Sequence, residues 1–288
     1  MIDLHVESSL SGRGAWPEAL MGRAARAGAT VVALADRLTV DGVQGARRAL
    51  PADLTLIPAV TVPCAVVVAG QERTIDLRGY LINVEDRPLL DLLAQARQYR
   101  EERARRMVSY LAADHPTLTW DRVARLAPHQ IPGRPHLARA LLEAGLVSSL
   151  QEAYSPGWLG IGGRYFEPKR QPRADQVLAV IRAAGGVPVL GRPRRRHRLQ
   201  LTAHQITALR SGGLAGLEID HPANPKPARE PLRRIAATLN LIVTGGSGSR
   251  GHPTSNAIPI GAGTTSRVMY ERLLLAAASG IQPNASRR

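Results

Sequence analysis

A histidine and two acids stand where apolar, β-branched runs of this sequence end. His5 and Glu7 follow the first run and Asp76 lies in a later one. One imidazole and two carboxylates form a plausible ligand set for a single divalent ion. In a parallel α/β barrel the carboxyl ends of the strands form one face, where such side chains meet. The residues collected at the predicted strand ends are His5, Glu7, Asp36, Arg37, Thr61, Asp76, Arg192, Glu218, Asp220, His221, Ser247 and Arg250.

Three arginines in that set oppose metal binding. Arg37, Arg192 and Arg250 are expected to lie at the same mouth of the predicted barrel, where the carboxyl ends of its strands meet. Each fixed positive charge repels a divalent ion at short range. The simpler interpretation is that Glu7 and Asp76 pair with these arginines. Arginine cannot act as a general base, but its planar fork binds phosphate well.

A glycine pattern, G-x-G-x-x-G at Gly246, Gly248 and Gly251, follows the run LIVTG and is typical of a dinucleotide-binding loop. Such a loop opens a helix, with an acid at the end of the next strand. Here His252-Pro253 interrupts any helix, and Glu271 lies inside a predicted helix. We interpret the pattern as a coincidence.

The elements that must position these residues alternate between strand and helix. The first 85 residues predict parallel βαβ units, with MIDLHV, VVALAD, LTLIPAVTV and CAVVVAG as strands. Residues 88–166 are predicted to be helical and lack strand partners. Strands and helices alternate again from DQVLAVIRAAGG to RVMYERLLLAAASG. We therefore predict a barrel domain from 1–87 and 167–288, with 88–166 as a helical insertion or cap.

Composition restricts the functional classes. The 288 residues carry 38 Lys+Arg against 23 Asp+Glu, a net charge of +15, and the only lysines are Lys169 and Lys226. A basic protein attracts polyanions, although scattered solvated arginines need no ligand. With one cysteine, Cys64, neither an intramolecular disulfide nor a cysteine-based zinc site can form. The N-terminus lacks a secretory pattern, so we expect a cytoplasmic protein with no membrane contact.

Several stretches resemble, in order, the PHP (polymerase and histidinol phosphatase) family, and most closely its nucleoside 3',5'-bisphosphate phosphatase and exoribonuclease type. They are MIDLHVESSLSGRGAWPEAL, VVALADRLTVDGV, LIPAVTV, GRPHLARALLEAGLVSSLQEA, IRAAGGVPVLGRP, GLEIDHP and LIVTGGSGSRG. The resemblance implies a distorted (βα)7 TIM-like barrel. It also implies two or three divalent ions, commonly Mn, Zn or Fe, that hydrolyse phosphoesters.

Most of the ligands that this resemblance implies are replaced. His5 remains, whereas Glu7 stands in place of the second histidine of D-L-H-x-H. The remaining family positions, in chain order, carry Gly12, Asp36, Arg37, Leu38, Thr61, Asp76 and Arg192, and S-D-x-H reads Ser247, Gly248, Ser249, Arg250. We therefore predict a catalytically impaired pseudoenzyme that binds a phosphorylated ligand or nucleotide and has no resident cofactor and no assigned catalytic residue.

Two alternatives stay open at this point. The first is an active nucleotide phosphatase with one ion (Mn, Zn or Mg) on His5, Glu7 and Asp76. The second is a nucleic-acid-binding module, with RNA as a candidate ligand, built on the run from Arg192 to Arg198. The predicted phosphate contacts are Arg37, Arg192, Arg250, Arg134, His136 and Arg103, of which the last three match family stretches that contact the phosphate pocket. A solvated charged surface is the plain alternative for these arginines.

Overall fold

A computed structural model describes residues 1–12, 14–128, 130–194, 201–251, 257–277 and 284–285. The chain divides into two compact units, one formed by residues 1–93 with 172–288 and the other by residues 94–171. We call them the sheet unit and the helical unit. The sequence-based boundary at residues 88–166 stays a prediction.

The sheet unit is built on seven neighbouring strands in chain order, with an eighth short strand beside the third. They are β1 (Ile2–Val6), β2 (Val31–Leu34), β3 (Thr55–Val68), β4 (Gln71–Tyr80), β5 (Val187–Gly191), β6 (Gly216–Asp220), β7 (Ile242–Gly245) and β8 (Asn284–Ala285). The β2 sequence VVAL is buried throughout, as expected for a strand covered on both faces.

The first and seventh strands lie close enough to nearly close the sheet into a barrel. Just beyond β7, the Gly248 N–H donates to the His5 carbonyl at 2.7 Å, and the Glu7 N–H donates to the Ser249 carbonyl at 2.9 Å. A Cβ added to Gly246 would lie 2.6 Å from the His5 nitrogen, so only glycine permits this approach. Gly246, the first glycine of the pattern, thus permits the close approach of the chain beyond β7 to β1. His252 and Pro253 lie outside the described residues.

Ten helices lie in the described parts of the chain, and their starts follow ordinary capping chemistry. They are α1 (Pro17–Arg26), α2 (Gly42–Arg48), α3 (Arg87–Asp114), α4 (Trp120–Arg125), α5 (Arg134–Glu143), α6 (Leu150–Ala153), α7 (Ala174–Ala183), α8 (Ala203–Ser211), α9 (Lys226–Thr238) and α10 (Arg267–Ala276). Thr202 and Gln205, for example, form a reciprocal capping box at α8. None of the described helices is long and apolar enough to cross a membrane.

The prediction of parallel βαβ units throughout the first 85 residues was wrong at β3. LTLIPAVTV and CAVVVAG are one strand, β3, which turns directly into the antiparallel strand β4. Ala69 and Gly70 form the two-residue turn, both with positive φ (50° and 73°), a geometry whose twist suits an antiparallel hairpin. β4 also runs antiparallel to β5, whereas the other neighbouring pairs among β1–β7 are parallel.

Each unit has its own apolar core. In the sheet unit, Leu4, Ile57 and Tyr80 belong to a cluster contributed by several strands and α10. In the helical unit, Met107, Leu137 and Leu141 join another cluster from α3, α5 and neighbouring turns. The strand ends of the sheet unit therefore rest on a core of that unit's own residues.

Candidate functional site

The site of the sheet unit begins at the end of β1, where Asp3 fixes the backbone and His5 and Glu7 point inward. The buried Asp3 carboxylate accepts from the backbone N–H groups of His5 (3.1 Å) and Ser247 (2.9 Å). His5 is fully buried, with Nδ1 2.9 Å from Glu218 Oε1 and Nε2 3.4 Å from Glu7 Oε1. β1 therefore delivers a buried imidazole flanked by two carboxylates.

Glu7 pairs with Arg250, as expected from the sequence. The Arg250 Nε and Nη2 atoms donate to Glu7 Oε2 at 2.9 and 2.7 Å. Burial by itself would raise the pKa of Glu7, but the hydrogen bond and charge of His5, with the charges of Arg250 and Arg37, lower it well below its usual range. Glu7 is thus an ionised carboxylate that already has its cations.

Asp76 is paired with two arginines. Both terminal nitrogens of Arg37 approach its carboxylate at 3.2 Å, and Arg192 Nη2 donates to Oδ2 at 2.7 Å. Burial would lower the pKa of Arg37, but the charges of Asp76 and Glu7 raise it. The expected pairing of Asp76 is therefore present, and Arg37 and Arg192 meet at one acid.

Asp36 is satisfied by hydroxyl and amide groups of the loop after β1. Its carboxylate accepts from the Ser8 N–H and Oγ at 2.6 Å and from Ser11 Oγ at 2.7 Å. Burial raises the pKa of Asp36, and these hydrogen bonds only partly offset it. Thr61, at a position where the sequence resemblance implies a metal ligand, donates its hydroxyl to the Ala35 carbonyl at 2.9 Å. Neither side chain is arranged as an open metal ligand.

Arg78, Glu218 and His221 occupy the centre of the site. Glu218 and His221 were collected at the predicted strand ends without an assigned role, whereas Arg78 was not among the residues predicted to lie there. Arg78 is fully buried and its Nη1 donates to Glu218 Oε2 at 2.7 Å, while Nη2 lies 2.9 and 3.1 Å from the two ring nitrogens of His5. Arg78 stands two residues after Asp76, so both project from the same face of β4. An arginine in the otherwise apolar end of IDLRGY was the signal that could have identified it.

The pKa values of Glu218 and His221 are both lowered, which keeps the carboxylate charged and the imidazole neutral. Burial would raise the pKa of Glu218, but Arg78, His5 and His221 lower it well below its usual range. Burial lowers the pKa of His221 to about 3, further lowered by His5, Arg78 and Arg192 although Glu218 opposes them. The ring of His221 lies 5.1 Å from that of His5, centroid to centroid. The centre therefore holds a charged carboxylate and a neutral imidazole.

These residues do not fit the centre of two or three ions that the sequence resemblance implies. Among the described residues, one cluster of three donors, His5, Glu218 and His221, has its ligand atoms within 4.8 Å of one another. The Arg78 guanidinium already contacts two of them, and its charge opposes a nearby divalent ion. The predicted remnant site is not assembled as an open ligand set either, because arginines contact both Glu7 and Asp76.

The predicted phosphate contacts of the helical unit form an aromatic-lined group of their own. Arg103 lies over the Phe166 ring, at 5.6 Å from its centroid, and Arg134 lies over Tyr154 at 5.2 Å. Burial, Arg134 and Arg100 lower the pKa of Arg103 to about 10 despite Glu167. His136 Nδ1 accepts from the Gly133 N–H at 3.1 Å, and burial with Arg100 lowers its pKa. Phosphate binding by Arg103, Arg134 and His136 stays a prediction.

The arginine-rich run and the cysteine complete the predicted features. The Arg194 N–H donates to Asn224 at 3.1 Å, whereas Arg195, Arg196, His197 and Arg198 lie outside the described residues. Arg192 adopts a positive φ of 50°, unusual for a residue with a side chain, and its N–H donates to Glu218 at 3.0 Å.

Cys64 is fully buried and burial raises the pKa of its thiol, so it packs rather than reacts.

Two curated exoribonucleases are similar in sequence to this chain. No protein-family model matches the chain. Over 196 residues the chain is 28% identical to the 5'-3' exoribonuclease Rnm of Escherichia coli K12, covering 67% of this chain and 65% of that protein. It is 27% identical over 247 residues to a 5'-3' exoribonuclease of Haemophilus influenzae, covering 85% and 88%. The chain thus spans just under two thirds of the E. coli relative's length.

Solved structures show the same fold. A protein of Bifidobacterium adolescentis described as a metal-dependent phosphoesterase shares 28% identity, with a TM-score of 0.77 and 97% of each chain covered. An amidohydrolase of Chromobacterium violaceum, solved with bound sulfate and no metal, shares 23% identity, with a TM-score of 0.75 and 96% of each chain covered. The mixed α/β, barrel-like sheet is therefore of the metal-dependent phosphoesterase type.

Proposed function

We propose that this chain is a PHP-family protein with a distorted (βα)7 barrel in which arginines have replaced the catalytic ions. It binds a phosphorylated ligand and does not hydrolyse it. The phosphoesterase-type fold supports the family, and the paired acids support the loss of hydrolysis. A helical cap at residues 88–166 and a cytoplasmic location are parts of the same proposal.

The observation that carries the proposal is that arginines contact both acids of the remnant site. Glu7 is held by Arg250, and Asp76 by Arg37 and Arg192. An ion would have to displace these cations or accept their charges within a few ångströms, which is costly where water is excluded. Arginine ionises no water at neutral pH, so the replacement removes the hydroxide that hydrolysis requires.

Phosphate binding is supported by the unused capacity of the same arginines. Arg192 Nε is buried without a hydrogen-bond partner among the described residues, although Nη2 is bonded to Asp76. The Arg250 side chain is 44% exposed while it holds Glu7. Three arginines against two acids leave positive charge, and a phosphate oxygen satisfies a free guanidinium N–H. We include Arg103, Arg134 and His136 as a second set of phosphate contacts, to be tested by their own variants.

The test combines metal content, binding and hydrolysis. Untagged protein is exposed to Mn²⁺ and Zn²⁺, desalted and analysed by ICP-MS, and adenosine 3',5'-bisphosphate is then titrated calorimetrically and assayed for release of phosphate. We expect no retained ion, no hydrolysis, and binding that weakens at least about tenfold in Arg192→Ala, as for loss of one charge-assisted contact. Two retained ions with turnover would overturn the proposal. Arg267→Ala is the control, since that side chain is 87% exposed on α10.

The exoribonuclease relatives favour RNA as a second candidate ligand. Both curated relatives are named 5'-3' exoribonucleases, and the chain carries a net charge of +15. Single-stranded RNA with a 5'-phosphate should then bind with a steep salt dependence, reduced by joint replacement of Arg195, Arg196 and Arg198. RNA cleavage that requires Mn²⁺ and disappears in His5→Ala would instead support an active one-ion enzyme.

A further inference from the structure

Arg78 holds a position inside the sheet unit that is unusual for an arginine. Its side chain is fully buried, and its guanidinium lies between Glu218 and the ring of His5. A buried guanidinium is retained only where its charge is compensated, and Glu218 Oε2 at 2.7 Å compensates it. In this buried ion pair each partner takes the place of the water that would otherwise solvate the other.

The atoms that surround this guanidinium are of the kind that bind a transition-metal ion. His5, Glu218 and His221 offer ligand atoms within 4.8 Å of one another, and all three residues are buried. Two imidazoles and one carboxylate form a common zinc ligand set that leaves a fourth position open. Arg78 contacts His5 and Glu218 directly, so a cation at this centre and the guanidinium would compete for the same atoms.

We propose that Arg78 is a built-in cation that substitutes for a metal ion among His5, Glu218 and His221, and that truncating its side chain creates a Zn²⁺ site there. The inference deepens the proposed loss of the metal centre and rests on it. It identifies one residue as the main barrier to metal binding, in addition to the arginines at the mouth.

The state of His221 is compatible with this exchange. Its Nδ1 accepts from the Ala223 N–H at 2.9 Å, which leaves the proton on Nε2. Nε2 is buried and has no hydrogen-bond partner among the described residues. Coordination through Nε2 requires that the proton leaves and that the bond from Ala223 is lost. One net backbone hydrogen bond is small beside the coordination of a structural ion, so this does not prevent binding once Arg78 is removed.

Truncation also creates a demand for a new cation. Without Arg78 the carboxylate of Glu218 stays fully buried and loses the guanidinium that neutralises it. Leaving a buried charge unpaired is strongly destabilising. An ion that binds the folded state alone restores that stability in proportion to its occupancy, so folding of the variant becomes dependent on Zn²⁺.

The experiment compares wild type, Arg78→Ala and Arg78→Ala/Glu218→Gln. Each untagged protein is desalted after exposure to Zn²⁺ or Co²⁺ and analysed by ICP-MS, by ligand-field absorption of Co²⁺, and by thermal unfolding with and without Zn²⁺. We expect wild type to retain no ion and to unfold at an unchanged temperature. Arg78→Ala should retain about one ion per chain and regain the unfolding temperature that it loses without metal. The double variant should not regain it.

Each other outcome counts against one defined claim. Retention of no ion by Arg78→Ala, or equal retention by the double variant, overturns the inference about Arg78. If Arg78→Ala is insoluble, it is refolded from denaturant, and only a soluble yield that depends on Zn²⁺ supports the inference. Ions retained by wild type, with turnover, overturn the proposed function itself, whatever Arg78→Ala does.

Discussion

Stability should fall as the pH drops below the ordinary pKa of histidine, because His221 is buried in its neutral form. Its pKa falls from 6.5 to about 3, with burial as the largest cause. A lowered pKa means that the unfolded chain takes up the proton first, so the contribution to stability is complete above about pH 6.5 and is lost as the pH falls toward 3. At about pH 5 the difference covers roughly 1.5 pKa units at about 1.4 kcal/mol each, or about 2 kcal/mol.

The assay is urea denaturation of wild type and His221→Asn at about pH 7.5 and pH 5. In wild type the Ala223 N–H donates to His221 Nδ1, and in the variant it can donate to the side-chain oxygen of asparagine. We expect wild type to lose about 2 kcal/mol more than the variant between these pH values. His136, whose pKa burial also lowers, contributes equally to both proteins and cancels. The stability contributed by the ionised Glu7 and Glu218 carboxylates is lost only below their ordinary pKa of 4.5, which lies outside this pH range. Parallel losses in the two proteins would refute a buried, neutral His221.

Three substitutions test other contacts of the sheet unit by urea or thermal unfolding. Arg250→Ala should cost about 1–3 kcal/mol, because the buried Glu7 loses two charge-assisted bonds, and Glu7→Gln in that background should recover part of it; no recovery would argue against the pair. Asp36→Ala should cost about 2–4 kcal/mol, since two buried donor groups of Ser8 and the partly buried Ser11 hydroxyl lose their acceptor, and a cost under about 1 kcal/mol would contradict this. Gly246→Ala should cost about 1–3 kcal/mol by overpacking, whereas Gly22→Ala within α1 should be neutral or stabilising; equal effects would refute the steric argument.

Much of the fold was accessible from sequence because its elements have strong local patterns. The helix predicted from Pro88 onward is α3, and the strands MIDLHV and VVALAD contain β1 and β2. The pattern failed at β3, where Pro63 divides the β-branched run in the sequence although the strand continues through it, and where Ala69 gives no sign that it accepts a positive φ. Pairing with β4 favours that turn, and the preference of a segment for strand pairing depends on the packing around it as well as on its own residues.

The residue types at the rim of the candidate site were predictable from the sequence, whereas Arg78 at its centre was missed. The pairing of Glu7 with Arg250 and of Asp76 with Arg37 and Arg192 follows from residue types that meet at strand ends. Which arginine pairs with which acid depends on strand order and on the rotamers that packing allows. Asp36 shows the limit, because Ser8 and Ser11, 28 and 25 residues earlier in the chain, donate to its carboxylate although Arg37 is the next residue.

By itself the sequence determined the α/β character and the absence of an intramolecular disulfide, because these depend on composition and local order. The replacement of metal ligands by arginine stays a prediction that rests on the family resemblance. The tertiary structure alone decided that Arg78, far in sequence from Glu218, lies between Glu218 and His5. Burial and strand pairing bring such charges together, and in that enclosed setting the interaction between them is strong.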